Sequence, residues 1–271
     1  MTKKIGQLMS GYPRITGPVS DTVIHTDEQG LDCGAAWIPV DDGEIPAYYA
    51  KPDYAKPESG DSFPVILFIQ EVFGCDDYLQ DTCRRAAKEG FFAVAVELYV
   101  RQGEPGKAED RESLFRIVGS VPDEQVMADL DAAAAWAGNQ GGDTQRLYCT
   151  GFCWGGRMVW LYAAHNPRLK AGVAWYGRLE GDRTERQPAF PIDLVDELKA
   201  PVLGLYGEKD QGIPMDSVER MQRSLAADRP DSSIHVYQNA PHAFHADYRP
   251  SYVEADALDG WRRMLDWFAS R

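Results

Sequence analysis

The sequence Gly151-Phe152-Cys153-Trp154-Gly155-Gly156 separates two short apolar segments, residues 146–150 and 157–164. The first segment is typical of a β-strand and the second of a helix. A nucleophile between two glycines at a strand-to-helix junction is typical of a nucleophile elbow. This turn is so tight that the residues two before and two after the nucleophile must be nearly free of side chain, and glycine occupies both positions. The pattern therefore predicts that Cys153 is a nucleophile presented at the end of a strand.

Strands and helices alternate along most of the chain. The predicted strands cover residues 64–69, 91–96, 146–150, 171–176, 202–206 and 233–237, and the predicted helices cover residues 77–89, 123–137, 154–165, 214–227 and 252–269. Asp123 follows Pro122 and is the predicted N-cap of its helix. Alternation of this kind predicts the α/β class, with a mostly parallel central sheet and helices on both faces.

The N-terminal part of the chain departs from this alternation. Residues 35–39 and 45–51 flank the turn sequence Asp41-Asp42-Gly43-Glu44, which predicts a β-hairpin at the sheet edge. Residues 1–30 are polar and rich in Gly and Pro, so we expect an irregular arm that packs on the body or on a partner subunit. Residues 101–122 predict a polar excursion with one short helix. We therefore expect a single domain over residues 31–271, preceded by the arm.

Composition limits the classes of partner and the compartment. The 271 residues are enough for one large buried core, and the net charge of −14 argues against nucleic acid or an anionic membrane as a partner. The five cysteines form no C-x-x-C pair, and no apolar run follows the basic N-terminus. Together these features predict free thiols and a cytoplasmic location. The sequence shows neither metal-ligand spacing nor a Gly-rich phosphate loop, so we expect no metal and no cofactor.

Two later loops supply candidate partners for Cys153. A hydrolytic triad built on such an elbow runs in the chain order nucleophile, acid, histidine. The strand at 202–206 leads into a loop that contains Asp210, and the strand at 233–237 leads into a loop that contains His242. Glu208 and Asp216 compete for the role of the acid, and His245 competes for that of the base. Residue type, order and loop position favour Asp210 and His242.

The roles of these residues follow from their chemistry. Cys153 would attack as a thiolate, His242 would take and return the proton, and Asp210 would orient the imidazole. An oxyanion on the substrate needs two backbone N–H donors. One of them would come from Trp154, at the start of the helix that follows the nucleophile. The other would come from the loop 70–74.

Five short motifs together resemble the dienelactone hydrolase (carboxymethylenebutenolidase) family of α/β-hydrolases. They are Gln70-Glu71-Val72-Phe73-Gly74, Glu97-Leu98-Tyr99, the elbow at 151–156, Gly207-Glu208-Lys209-Asp210 and Pro241-His242-Ala243-Phe244. The match spans roughly residues 35–270, and the joint occurrence of these motifs is far more specific than any one of them. The resemblance implies an α/β-hydrolase fold and a triad of Cys153, His242 and Asp210.

The resemblance also assigns the residues around the triad. It implies that Val72 and Trp154 donate the oxyanion N–H groups and that Glu71 contacts the thiol and takes part in its activation. Phe73, Tyr99 and Phe244 are the candidate aromatic residues of the substrate pocket. Family members bind a substrate carboxylate with arginines. Here Ala246 stands at the position of one of them with Arg249 shifted nearby, and Arg111 is the candidate for the other.

The implied reaction is hydrolysis of a small-molecule ester or lactone through a thioester acyl-enzyme, with a cyclic enol lactone such as a dienelactone as the leading substrate. The same triad also suits another carboxylesterase, a thioesterase or an acyltransferase. A non-catalytic α/β-hydrolase binder is the alternative from a different class of protein, and three intact triad residues argue against it. The assembly is expected to be a monomer or a small homo-oligomer.

Overall fold

The computed structural model describes residues 8–53 and 62–271. One mixed sheet of eight strands runs through this part of the chain, in the order β1-β2-β4-β3-β5-β6-β7-β8. The strands are β1 (Leu31–Val40), β2 (Gly43–Pro52), β3 (Pro64–Ile69), β4 (Phe92–Val96), β5 (Asp143–Phe152), β6 (Leu169–Trp175), β7 (Val202–Gly207) and β8 (Ser233–Tyr237). From β4 to β8 in this order, neighbouring strands pair in parallel, whereas β2 pairs antiparallel with both β1 and β4.

Six α-helices accompany the sheet in the described residues. They are α1 (Asp77–Lys88), α2 (Arg111–Val118), α3 (Asp123–Asn139), α4 (Trp154–His165), α5 (Met215–Asp228) and α6 (Glu254–Ala269). Helix α4 packs on the central strands β3, β5 and β6, and α6 packs on β6 and β7. The strands in the middle of the sheet are almost entirely buried, which explains their continuous apolar sequences.

The predicted α/β architecture and the edge hairpin are confirmed. The hairpin is longer than its apolar core suggested, because β1 and β2 pair from Leu31 with Pro52 to Val40 with Gly43. The residues beyond the predicted ends continue the ladder although they do not follow an apolar alternation, since backbone hydrogen bonding in an edge hairpin does not require apolar side chains on both faces. The short helix expected in the polar excursion is α2, which Asp110 caps by accepting a hydrogen bond from the Ser113 amide.

The predicted N-cap role of Asp123 is wrong. Pro122 occupies the N-cap position of α3, and Asp123 is the first residue of the helix. The Asp123 carboxylate instead accepts two hydrogen bonds from the Arg157 guanidinium on α4, each 2.7 Å long. A buried arginine competes more strongly for a carboxylate than a backbone amide does, because both oxygens then receive charge-assisted hydrogen bonds.

The N-terminal arm packs on the body over its described part, residues 8–30. Its single regular element there is a short 3₁₀ turn, Arg14–Thr16. The Val19 amide donates to the Tyr248 carbonyl at 2.8 Å, and the Thr26 amide donates to the Asp81 carboxylate at 2.7 Å. Residues 1–7 of the predicted arm lie outside the described residues. No helix among residues 8–53 and 62–271 is long and apolar enough to cross a membrane.

Candidate active site

Cys153 lies at the sharp turn between β5 and α4. Its backbone has φ 55° and ψ −112°, a conformation that non-glycine residues seldom adopt, and its amide donates to the Trp175 carbonyl at 3.0 Å. The flanking glycines are required by close packing. A Cβ at Gly155 would lie 2.3 Å from the Ile69 carbonyl oxygen, and a Cβ at Gly151 would lie 2.5 Å from the Gly155 oxygen. The elbow predicted from the sequence is therefore formed, with the thiol half-buried at the end of a central strand.

The structure brings Asp210 and His242 together at the same edge of the sheet. Asp210 follows β7 and His242 follows β8, and the His242 Nδ1 atom lies 2.6 Å from an Asp210 carboxylate oxygen. The other Asp210 oxygen accepts the Gly212 amide at 2.8 Å. The rival acid Asp216 is exposed and pairs with Arg220, so it does not contact the imidazole. The geometry places the buried Asp210 carboxylate behind the ring.

The electrostatics of His242 connect it to Cys153. Burial disfavours the protonated ring, but the negative charge of Cys153 and the hydrogen bond to Asp210 outweigh it and raise the pKa of His242 to about 10. Because the charge of Cys153 acts on the imidazole, the two side chains belong to the same cluster. The three side chains thus form one connected set.

The rival base His245 lies in the core instead. Its Nδ1 atom is 2.6 Å from the Tyr78 hydroxyl, and its ring stacks on Phe152 with centroids 5.0 Å apart. Burial lowers the pKa of His245 well below its usual range. A neutral, fully enclosed imidazole of this kind supports the loop that carries His242 and does not meet Cys153.

Two backbone N–H groups, one directly after Cys153 and one in the loop after β3, have no acceptor in the described part of the chain. Trp154 is the first residue of α4, where an amide has no intrahelical acceptor, and the Val72 amide lies in the loop after β3. Neither amide donates to any acceptor within residues 8–53 and 62–271. The arrangement leaves both donors available to an oxygen atom bound from outside the chain.

Glu71 is buried beside this set, but its hydrogen bond goes to a tyrosine. One carboxylate oxygen accepts the Tyr248 hydroxyl at 3.1 Å, and the other lies 3.8 Å from the Arg249 guanidinium. The charge of Cys153 and that of Glu71 both act on Tyr99, Tyr176 and Arg249, so the two groups belong to the same cluster. Both of these contacts come from the loop that follows His242.

The candidate pocket residues occupy different positions. Tyr99 is fully buried, packs on the Trp154 ring at 4.9 Å and donates its hydroxyl to the Glu71 carbonyl at 3.2 Å. Phe244 is fully buried as well and packs on Tyr176, so it lies in the core beneath His242. Phe73 contributes to a cavity of about 860 Å³ between the arm and the loop after β4.

Arg249 is the arginine that the structure brings to the cluster. Arg111 is exposed at the first residue of α2 and forms no contact with the other site residues among those described. Arg249 lies beside Glu71, and its guanidinium is 5.9 Å from the centre of the Phe73 ring. In the sequence, Arg249 stands three residues beyond the position that an arginine occupies in the family pattern. Only the folded loop shows that its side chain reaches Glu71.

Two tyrosines were missed by the sequence analysis. Tyr248 contacts Glu71 directly, and Tyr176 packs on the His242 ring with centroids 5.2 Å apart. The Tyr176 hydroxyl is buried without a hydrogen-bond partner in the described part of the chain. The apolar pattern of the sequence assigns such aromatic residues to the core. It does not indicate which tyrosine hydroxyl contacts a carboxylate. No group of three or more His, Cys, Asp or Glu side chains in residues 8–53 and 62–271 is arranged to hold a metal ion.

Known proteins resemble this chain over nearly its whole length. It is 50% identical over 261 residues to a Salmonella typhimurium protein named "Putative carboxymethylenebutenolidase", covering 96% of this chain and 95% of that protein. A Methylorubrum extorquens protein of the same name is 52% identical over 264 residues, covering 96% and 89%. The crystal structure of a "Putative Dienelactone Hydrolase" from Klebsiella pneumoniae superposes with a TM-score of 0.86 at 51% identity, covering 89% and 99%.

The agreement in fold and sequence identifies the family. The chain has the α/β-hydrolase fold of its structural neighbour, with the same kind of mostly parallel sheet. The sequence model of the dienelactone hydrolase family matches residues 45–271, which include every strand from β3 onward and the whole candidate site. The chain therefore belongs to the dienelactone hydrolase family of hydrolases.

Proposed function

We propose that this protein hydrolyses ester or lactone bonds with Cys153 as the nucleophile, through a thioester acyl-enzyme. The observation that carries the proposal is the connected set of three side chains. Cys153 stands on a strained elbow within reach of His242, and the His242 ring is 2.6 Å from the buried Asp210 carboxylate. Family membership supports the same class of reaction.

The proposed attacking species is a Cys153 thiolate beside a protonated His242. Because the pKa of His242 is raised to about 10 by the Cys153 charge and the Asp210 carboxylate, the ring holds its proton at neutral pH. A protonated imidazole next to a thiol stabilises the thiolate, which is the nucleophilic form. The N-terminus of α4, which begins at Trp154, adds a favourable dipole at the same place.

The proposed acylation step forms one bond and breaks another. The Cys153 thiolate attacks the carbonyl carbon, and the carbonyl oxygen becomes an oxyanion held by the Val72 and Trp154 amides. The intermediate then collapses to a thioester as His242 donates its proton to the departing alkoxide. In a lactone the alkoxide remains attached to the acyl group, so the ring opens without loss of a fragment.

Deacylation uses the change in charge that acylation causes. The thioester carries no charge, so one of the causes that raise the pKa of His242 disappears, and the neutral ring becomes able to accept a proton. His242 then takes a proton from water, and the hydroxide oxygen attacks the thioester carbon. Release of the acid restores the Cys153 thiolate and the imidazolium.

The substrate class rests on Arg249 and on the relatives. The relatives are named as putative carboxymethylenebutenolidases. From this name we take the substrate of this chain to be a lactone that carries a carboxylate. Arg249 is the cation beside the cluster, and its pairing distance of 3.8 Å from Glu71 leaves its donors open to a second carboxylate. A cytoplasmic location and a monomer or small homo-oligomer remain predictions from the sequence.

The test compares Cys153→Ala with Cys33→Ala, which removes another half-buried thiol on the edge strand β1. Turnover of p-nitrophenyl acetate and of a dienelactone is measured for both variants and the wild type. We expect Cys153→Ala to lose activity on both substrates and Cys33→Ala to retain it. Thermal unfolding of each variant serves as the control for folding.

Each outcome decides a different part of the proposal. Faster hydrolysis of the lactone than of the simple ester, dependent on Cys153, supports both the mechanism and the substrate class. Activity on the simple ester alone supports the nucleophile and rejects the carboxylate-bearing lactone. Full activity in folded Cys153→Ala rejects the mechanism.

A further inference from the structure

The two carboxylate oxygens of Glu71 are in different situations. Glu71 is 4% exposed, and one oxygen accepts the Tyr248 hydroxyl at 3.1 Å. The other oxygen has no hydrogen-bond partner in the described residues, although Arg249 lies 3.8 Å away. A buried acceptor without a donor is unfavourable by itself, so this oxygen is available to accept a hydrogen bond. The Tyr248 hydroxyl is the hydrogen-bond donor to the first oxygen.

Tyr248 is itself fixed from several directions. It is fully buried, its ring stacks on Tyr12 of the arm with centroids 4.9 Å apart, and it packs on Tyr78 at 5.4 Å. Its carbonyl accepts the Val19 amide at 2.8 Å. Burial and the charge of Glu71 raise the pKa of Tyr248 well above its usual range, so its hydroxyl keeps its proton and acts as a donor.

We propose that Tyr248 is a positioning residue for Glu71: its hydroxyl holds one carboxylate oxygen so that the other stays open toward the thiol and the bound substrate. The inference rests on the proposed function, since it concerns the environment of a reactive Cys153. It adds a requirement that the triad alone does not contain. The loop that supplies His242 also supplies the group that orients the neighbouring carboxylate.

The arm takes part in this positioning. Tyr12 covers one face of the Tyr248 ring, and the arm backbone holds the Tyr248 carbonyl. The titratable groups whose electrostatics involve Glu71 are Asp76, Tyr78, Tyr99, Tyr176, Tyr248 and Arg249. Among these groups, Tyr248 alone donates a hydrogen bond to the Glu71 carboxylate in the described residues, which makes its hydroxyl a specific target.

The experiment measures alkylation of Cys153 by iodoacetamide across pH about 5 to 9, with mass mapping of the modified cysteine. The proteins are the wild type, Tyr248→Phe, Glu71→Gln and the double variant that combines these two substitutions. The Tyr248 hydroxyl disperses the negative charge of the Glu71 carboxylate. Without this donor the charge is more concentrated, and a concentrated negative charge disfavours a nearby thiolate. We therefore expect Tyr248→Phe to slow alkylation at neutral pH by about three- to tenfold and to move the pH midpoint upward. With Gln at position 71, the same substitution should have no effect.

Tyr162→Phe is the matched control, because it removes the hydroxyl of another buried tyrosine that donates to a different carboxylate, that of Asp131, at 3.0 Å. We expect its alkylation profile to match that of the wild type. If Tyr248→Phe does not fold, Tyr12→Leu removes only the outer ring of the stack. It should shift the profile in the same direction by a smaller factor, again only when Glu71 is present.

The outcomes separate this inference from the proposed function. A reactive Cys153 whose profile is unchanged by Tyr248→Phe, or changed equally in the Glu71→Gln background, overturns the positioning role alone. If Tyr248→Phe does not fold and Tyr12→Leu is used instead, an unchanged alkylation profile in Tyr12→Leu also overturns the positioning role. An unreactive Cys153 in the wild type overturns the thiol mechanism and this inference with it.

Discussion

Cys153 illustrates how close packing holds a single residue in an unfavourable backbone conformation. Its φ of 55° costs conformational free energy, of order 1–3 kcal/mol for such positions, and the surrounding packing maintains it. Gly155 approaches the end of β3 so closely that a larger residue would displace the helix. This conformation leaves the thiol half-buried at the junction between β5 and α4.

Asp210 is predicted to control both the turnover rate of the enzyme and the proton affinity of His242. Its carboxylate is one of the causes that raise the pKa of His242 from 6.5 to about 10. Asp210→Asn removes that charge, so the imidazole should lose its proton at a lower pH than in the wild type, as followed by NMR titration of the ring. We expect turnover to fall by about 10²- to 10⁴-fold.

The control for this prediction is Asp216→Asn, which changes an exposed carboxylate that pairs with Arg220 within α5. It should leave both the titration and the turnover close to wild-type values. A large loss of activity in Asp216→Asn with little change in Asp210→Asn would show that the acid had been assigned to the wrong residue.

At the scale of elements, α3 and α4 are joined by a buried ion pair. Arg157 donates two hydrogen bonds to Asp123 and a third to the Ala189 carbonyl at 2.7 Å, and its guanidinium lies 4.7 Å from the centre of the Phe190 ring. Helix α4 begins at the residue after Cys153, so this pair anchors the helix whose N-terminus faces the thiol. The connection is structural and lies outside the reacting groups.

Asp123→Ala is expected to destabilise the protein by about 3–5 kcal/mol, because it leaves the Arg157 charge buried without its partner. Urea unfolding followed by circular dichroism measures the change. Glu124→Ala is the matched control, since it removes the next carboxylate in the same helical turn, where the side chain is exposed. Equal unfolding midpoints for the two variants would contradict the importance of the pair.

On the scale of the whole molecule, one carboxylate joins the arm to the body. Asp81 is buried on α1 and accepts the Thr26 amide from the arm at 2.7 Å. It also pairs with Arg84 and Arg85, and Arg85 continues to Asp247 beside Tyr248. The arm, the first helix and the loop of the catalytic histidine candidate therefore share one network.

Asp81→Ala should loosen this network as a unit. Two partly buried guanidinium groups lose a partner, so we expect a destabilisation of about 3–5 kcal/mol. Hydrogen exchange of residues 8–30 should accelerate, because the amide of Thr26 loses its acceptor. Asp27→Asn is the control. It changes an exposed carboxylate of the same arm that pairs with Lys88 on α1, and it should leave exchange nearly unchanged. Equal protection in both variants would argue against the network.

The sequence by itself determined the order of the elements, the elbow and the three triad candidates. These features are local: apolar periodicity selects strands and helices, and paired glycines at fixed spacing are needed wherever such a turn forms. The positions of Asp210 and His242 followed as well, because the ends of successive parallel strands meet at one edge of the sheet.

Only the tertiary structure decided what surrounds the triad. Glu71 and Tyr248 are 177 positions apart in the chain, and Asp123 exchanged its expected role as a cap for a partner on another helix. Arg249 lies beside Glu71, a contact that its shifted position in the sequence did not establish, and Arg111 lies at the surface. Such contacts depend on how loops turn and on which buried charges compete for one another, and neither property is encoded in a local pattern.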